Sequence, residues 1–151
     1  MTHKFFFTFI IFFSIFFVIA STSADVQKFE HFSVDVPSGW IAEEKNTDLT
    51  LQSQNSNASI TVSLNQTEEE NLRDIAERFY LNFHGEDFEE DDDGDYTFNF
   101  TNESADESVA LITGNENYYL VFLITGFDNE NSEKDIQKIL GSLDWYDNEN
   151  K

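Results

Sequence analysis

The chain has 151 residues, with 8 Lys plus Arg against 30 Asp plus Glu for a formal net charge of −22, no cysteine and one proline. That length holds one ordinary domain, and the charge opposes contact with a nucleic-acid backbone or an anionic membrane, both of which need clustered Lys and Arg. Without cysteine there are no disulfides, thiolate metal sites, cysteine nucleophile or lipid-anchored N-terminal cysteine.

Met1 to Lys4 is a short n-region carrying Lys4, Phe5 to Ile19 is an apolar h-region interrupted by Thr8 and Ser14, and Ala20 to Ala24 supplies small residues for cleavage. This is the layout of a secretory signal peptide over residues 1–24, with Ala20 and Ala24 as alternative cleavage points and Ala24 preferred because polar, strand-like sequence begins there. The competing reading is an uncleaved anchor, for which the apolar run falls short of the ~20 residues that span a bilayer. Cleavage at Ala24 leaves residues 25–151 as a single exported domain, periplasmic or secreted, with a short acidic tail after Tyr146.

From Lys28 to Val36, Phe29, His31 or Phe32, Val34 and Val36 alternate with polar residues, which predicts one half-buried strand closed by a Pro37-Ser38-Gly39 turn. Trp40 opens the next strand. Leu49 and Leu51, then Ile60, Val62 and Leu64, predict a hairpin across the polar stretch from Ser53 to Asn57. Thr67 with Glu70 reads as a capping box, and Leu72, Ile75, Ala76, Phe79, Tyr80 and Phe83 give the helix after it an apolar face. Glu69 with Arg73 and Asp74 with Arg78 stand at ion-pair spacing, and Gly85 is placed to end the helix.

Phe88 to Asp91 reads as a short acidic strand, and Asp93-Gly94 as the turn into a strand with Tyr96, Phe98 and Phe100 on one side. Val109 to Thr113 is a further strand. Tyr118 to Thr125 is apolar on both sides, as a central strand covered on both faces should be. Ser132 with Asp135 predicts the cap of a last helix carrying Ile136, Ile139, Leu140 and Leu143. The fold class is α+β: one antiparallel sheet of about six to seven strands flanked by two main helices.

Phe32-Ser33-Val34-Asp35-Val36-Pro37-Ser38-Gly39-Trp40, an opening strand ending in Pro-x-Gly-Trp, resembles the start of the PsbP-like and DcrB-like group of small exported α+β domains. The order of elements that follows, the Gly126-Phe127 strand end and the closing helix Ile136 to Leu143 extend the resemblance from Phe29 to Trp145. It implies a curved antiparallel sheet and a non-enzymatic role, as an extrinsic or accessory subunit or a chaperone-like adaptor. The group has no shared catalytic motif to carry over. Lipoprotein members have a cysteine at the cleavage site where this chain has Ala24-Asp25, so no lipid anchor is expected.

The densest charge is Glu86 to Asp95, eight carboxylates in ten residues. Calcium takes six to eight oxygen ligands, so Glu89, Asp91, Asp93 and Asp95 are the candidate metal ligands. Phe100 falls where a calcium loop needs its bidentate Glu, so that motif fails. The other readings are a solvated hairpin that keeps an edge strand soluble and a dock for a basic partner. His31 and His84 lie in no metal-ligand spacing, and His84 suits a helix C-terminus. No Gly-x-Ser-x-Gly elbow exists, and Gly141-Ser142 sits among core positions of the last helix.

Trp40 with Tyr96, Phe98 and Phe100 would stack a sugar or apolar ligand, although strand-alternating aromatics more often form core. Asn57, Asn65, Asn99 and Asn102 begin glycosylation sequons, with 14 Asn making chance matches common. The expectation is an exported, acidic, monomeric, non-enzymatic protein that binds a protein partner, needs no cofactor and does not bind nucleic acid. The alternatives are a calcium-binding protein using residues 86–95 and a carrier of a small apolar ligand between sheet and helix.

Overall fold

The computed structural model describes residues 24–146 other than 47, 105 and 128. The predicted signal peptide, apart from Ala24, and the acidic tail lie outside the described residues. The elements in chain order are β1 (Asp25–Lys28), β2 (Phe32–Val36), β3 (Trp40–Lys45), β4 (Asp48–Ser53), β5 (Ser59–Gln66), α1 (Leu72–Asn82), β6 (Glu86–Glu90), β7 (Tyr96–Thr101), β8 (Glu107–Gly114), β9 (Tyr118–Thr125), α2 (Glu130–Gly141) and β10 (Asp144–Trp145). A seven-stranded antiparallel sheet runs β3-β4-β5-β9-β8-β7-β6, and a three-stranded one runs β1-β2-β10. The class is the predicted α+β, with a second small sheet that the sequence pattern did not separate.

The large sheet is covered on opposite halves of its two faces. On one face Leu49, Leu51, Ile60, Val62, Leu120, Phe122 and Ile124 meet Phe32, Val34 and Val36 of the small sheet and Ile136 and Ile139 of α2. On the other, Ile75 and Ala76 of α1 lie against Tyr96, Phe98, Phe100, Ala110, Ile112, Tyr119 and Val121. β9 lies fourth of seven, under both covers, and sends alternate side chains into both clusters. This is why its sequence is apolar throughout, whereas β4 and β5 alternate with Thr50, Gln52, Thr61 and Ser63.

The predicted strand from Lys28 to Val36 is two strands. The chain turns at residues 29–31, where Phe29 N–H donates to Phe32 O at 2.8 Å, and β1 pairs back on β2. Phe29 and Phe32 stack at 4.9 Å across the turn, so the apolar spacing read as alternation serves a hairpin instead. The Pro37–Gly39 turn is as predicted, with Trp40 N–H on Pro37 O and Gly39 at φ +85°.

Both predicted helix caps shift. Asn71 caps α1, its Oδ1 accepting from Asp74 N–H at 2.9 Å, while Thr67 Oγ1 donates to Glu116 O and Glu68 and Glu69 adopt φ +47° and +68°. Glu69 is therefore outside the helix and Asp74 is engaged by Asn71 Nδ2, so Arg73 pairs with Glu77 and, at 3.6 Å, with Glu90, and Arg78 pairs with Glu70, rather than with the predicted partners. Asn129, not Ser132, caps α2. Ser132 is buried and its hydroxyl donates to Ser56 Oγ at 2.9 Å; Asp135 accepts from Trp40 Nε1 at 3.0 Å, pinning α2 to the start of β3.

Helix α1 ends in a Schellman turn: His84 N–H donates to Leu81 O and Gly85 N–H to Tyr80 O. The left-handed residue of that turn is His84, at φ +52°. Gly85 has a different task, since a Cβ there would lie 2.5 Å from Tyr80 Cδ2 and 2.7 Å from Phe98 Cδ2. The missing side chain lets β6 leave the helix against the aromatic cluster.

Candidate functional site

The acidic hairpin is built as its sequence implies, but its carboxylates do not gather. β6 pairs with β7 through Glu86–Asn99, Glu89–Thr97 and Glu90–Tyr96, with a register shift between Glu86 and Glu89 and Asp87 at φ +55°. The bulge turns Phe88 inward, where it stacks on Tyr96 at 5.6 Å and meets Tyr80 edge-on at 5.2 Å. Asp91 Oδ1 accepts from the N–H groups of Asp93 and Asp95, both at 2.9 Å, so one of the predicted ligand oxygens holds the turn together.

Of the other candidates, Glu89 and Asp93 are exposed and Asp95 is half-buried beside Thr113. Burial pushes the Asp95 carboxyl above the usual range, the Thr113 hydroxyl bond opposes that, and Asp91 and Asp93 add to it. Among the described residues no group of three or more His, Asp or Glu side chains is placed to hold a metal ion. The structure thus keeps Glu89, Asp91, Asp93 and Asp95 on one hairpin without converging them.

The histidines stand apart. His84 is exposed at the helix end. His31 stacks on Tyr118 at 4.0 Å, and its Nδ1 is buried with no hydrogen-bond partner. Ser142, the serine of the only Gly-Ser pair, is structural: its hydroxyl donates to Ile139 O and accepts from Asp35 N–H, both at 2.7 Å, tying α2 to β2. Trp40, Tyr96, Phe98 and Phe100 are all buried, so the aromatic series is core. Asn57 and Asn99 are exposed, while Asn65 and Asn102 are half-buried and Asn102 Oδ1 accepts from Ser104 and Asp106 N–H.

Sequence reasoning missed a groove of about 330 Å³ between β1 and β3, with Asp25 and Gln27 on one wall, Trp40 and Ala42 on the other, and Pro37 to Gly39 at its end. It lies where the edges of the two sheets approach through the Pro-x-Gly-Trp turn.

A sheet of seven strands with a small sheet and one helix on one face and a second helix on the other is a PsbP-like α+β fold. It is similar to the solution structure of cyanobacterial PsbP (CyanoP) from Synechocystis sp. PCC 6803, with 15% identity and a TM-score of 0.55 over 87% of this chain and 99% of that one. A crystal structure from Bacteroides thetaiotaomicron matches 80% of this chain at 15% identity and a TM-score of 0.51, and the match spans 47% of that chain. At such identities the likeness is one of fold. Neither a protein-family model nor a curated protein matches the chain.

Proposed function

We propose that the chain is an exported, acidic, non-enzymatic accessory protein that acts by surface contact with a protein partner. The observation that carries this reading is where the charge stands. Every described Asp and Glu occupies an exposed or half-exposed position, while the buried apolar side chains gather in two clusters, one on each face of the large sheet. What the molecule offers to others is therefore mainly a charged surface on a PsbP-like frame. Export rests on the h-region Phe5 to Ile19 and the small residues before Asp25. The DcrB-like side of the resemblance rests on the sequence pattern alone.

The test is cross-linking of the tagged protein in its native host, followed by mass spectrometry of the exported fraction. One recurrent partner and a mature N-terminus at Asp25 are expected. Turnover of a substrate from a broad hydrolase panel, abolished by one carboxylate substitution, would overturn the reading. Calcium binding at residues 86–95 has less support, because Asp91 already spends an oxygen on the turn and the four candidate carboxylates do not converge.

A further inference from the structure

The two sheets leave four outer strands, β3 and β6 of the large sheet and β1 and β10 of the small one. Exposed edges invite pairing, and proteins blunt them with charge, bulges or brevity. β10 has two residues and β1 four. β6 carries four carboxylates in five residues and a bulge. β3 is neither short nor bulged, and its charges, Glu43, Glu44 and Lys45, stand only in its second half. It runs six residues in unbroken register with β4, from Trp40–Ser53 to Lys45–Asp48, and among the described residues no strand pairs with its other side. Alternate residues of such an edge turn N–H and C=O outward, and Ile41 stands exposed on it.

We propose that the β3 edge is a docking site that accepts an extended, basic segment of a protein partner as an added strand. This deepens the accessory reading and rests on it. Charge selects the occupant. Glu43 and Glu44 lie exposed on β3 beside a single cation, Lys45, so the strand is net acidic, and the lining of the adjoining groove contributes the carboxylate of Asp25 and no Lys or Arg. Side chains of an added strand alternate, one set toward Ile41, Glu43 and Lys45, the other toward Trp40, Ala42, Glu44 and the groove. A Lys or Arg of the second set has room to reach into the groove, whose exposed lining is mostly polar, and bring its cation toward Asp25. A second copy of this chain is the wrong occupant, because β3–β3 pairing would bring together two molecules of net charge −22 each.

The test uses residues 25–151, which contain every element described, and an eight-residue peptide of alternating lysine and valine with blocked ends. Amide hydrogen exchange is read residue by residue, and affinity is measured by calorimetry. The peptide is expected to slow exchange across Trp40–Lys45. A glutamate–valine peptide, or the lysine peptide N-methylated at alternate amides, should bind at least about tenfold more weakly. Glu43→Lys with Glu44→Lys should weaken binding by about tenfold, whereas Glu86→Lys with Glu89→Lys, the same change in net charge on β6, should leave it within about twofold.

Failure to bind, protection at β6, equal losses in the two double variants, or retained binding of the N-methylated peptide would each overturn the proposal. The accessory reading is judged separately. A cross-linked partner retained by the Glu43→Lys/Glu44→Lys protein would sink the edge and leave that reading standing. Peptide binding at β3 with no partner captured in the host would support the edge and count against the accessory role.

Discussion

Replacing Gly85 by alanine tests how the aromatic cluster under α1 is closed. The left-handed position of the helix end belongs to His84, so alanine at 85 meets no backbone penalty. It meets two rings instead, with its Cβ 2.5 Å from Tyr80 Cδ2 and 2.7 Å from Phe98 Cδ2. Neither ring yields easily. Phe98 is 1% exposed and stands edge-on to Tyr80 at 5.7 Å, and Tyr80 in turn stands edge-on to Phe88 at 5.2 Å. Overpacking of this kind typically destabilises by about 1–3 kcal/mol, and with two rings displaced the upper half, about 2–3 kcal/mol, is expected. For a domain of this size that lowers Tm by about 6–12 °C.

Gly141→Ala is the control. A Cβ there meets nothing within 4 Å at the end of α2, so about 0.5 kcal/mol of helix propensity should be gained. Thermal melts by circular dichroism, checked by guanidinium titration, should move in opposite directions for the two variants. In a Tyr80→Ala background the Gly85→Ala penalty should shrink, since one of the two obstructing rings is gone. A Gly85→Ala protein that melts with the wild type would refute the close approach.

Other perturbations address the candidate site. Asp95 has a raised carboxyl pKa in the folded protein, so the folded state holds its proton more tightly than the unfolded one, and ionisation destabilises the fold as pH rises from the unfolded value through the folded one. Asp95→Asn, which keeps an acceptor for Thr113, should remove that loss, and urea titrations from pH 3 to 7 should show the stability of the variant falling less over this range. Trp40→Phe deletes the Nε1 bond to half-buried Asp135 together with part of the buried indole, and should lower stability by about 1–3 kcal/mol in denaturant titrations. Asp135→Asn, with its acceptor retained, should lose less. Because the four hairpin carboxylates do not converge, calcium should raise Tm no more than equimolar magnesium does. An excess for calcium that disappears when Glu89, Asp91 and Asp93 become amides would restore a specific cation site.

The fold was legible wherever side-chain periodicity reports burial, and illegible where local polar groups decide between neighbours. The apolar faces of α1 and α2 and the two-sided β9 were readable because burial leaves period and width in the sequence. The caps were misassigned because Thr67 and Ser132 are as good by residue type as Asn71 and Asn129. Long-range partners decided the matter, with Glu116 O taking the Thr67 hydroxyl and Ser56 taking that of Ser132. β1 escaped detection because its four residues are mostly exposed and leave almost no apolar signature. The groove and the β3 edge depend on how two sheets meet through a three-residue turn, and residue spacing within one strand carries no such information.

Charge serves two purposes in this arrangement. Twenty-two net negative charges on a small domain oppose compaction, and the fold limits that by leaving no described carboxylate fully buried. The same charge makes an unpaired edge tolerable. A six-residue edge strand with an exposed Ile41 would be an aggregation hazard on a neutral protein, yet copies of this chain repel one another before their edges meet. β6 carries the additional protection of its own carboxylates and bulge, whereas β3 depends on the charge of the whole molecule and on Glu43 and Glu44. An edge guarded by negative charge and not by a bulge or by brevity excludes acidic neighbours and admits basic ones, so solubility and partner choice have the same electrostatic origin.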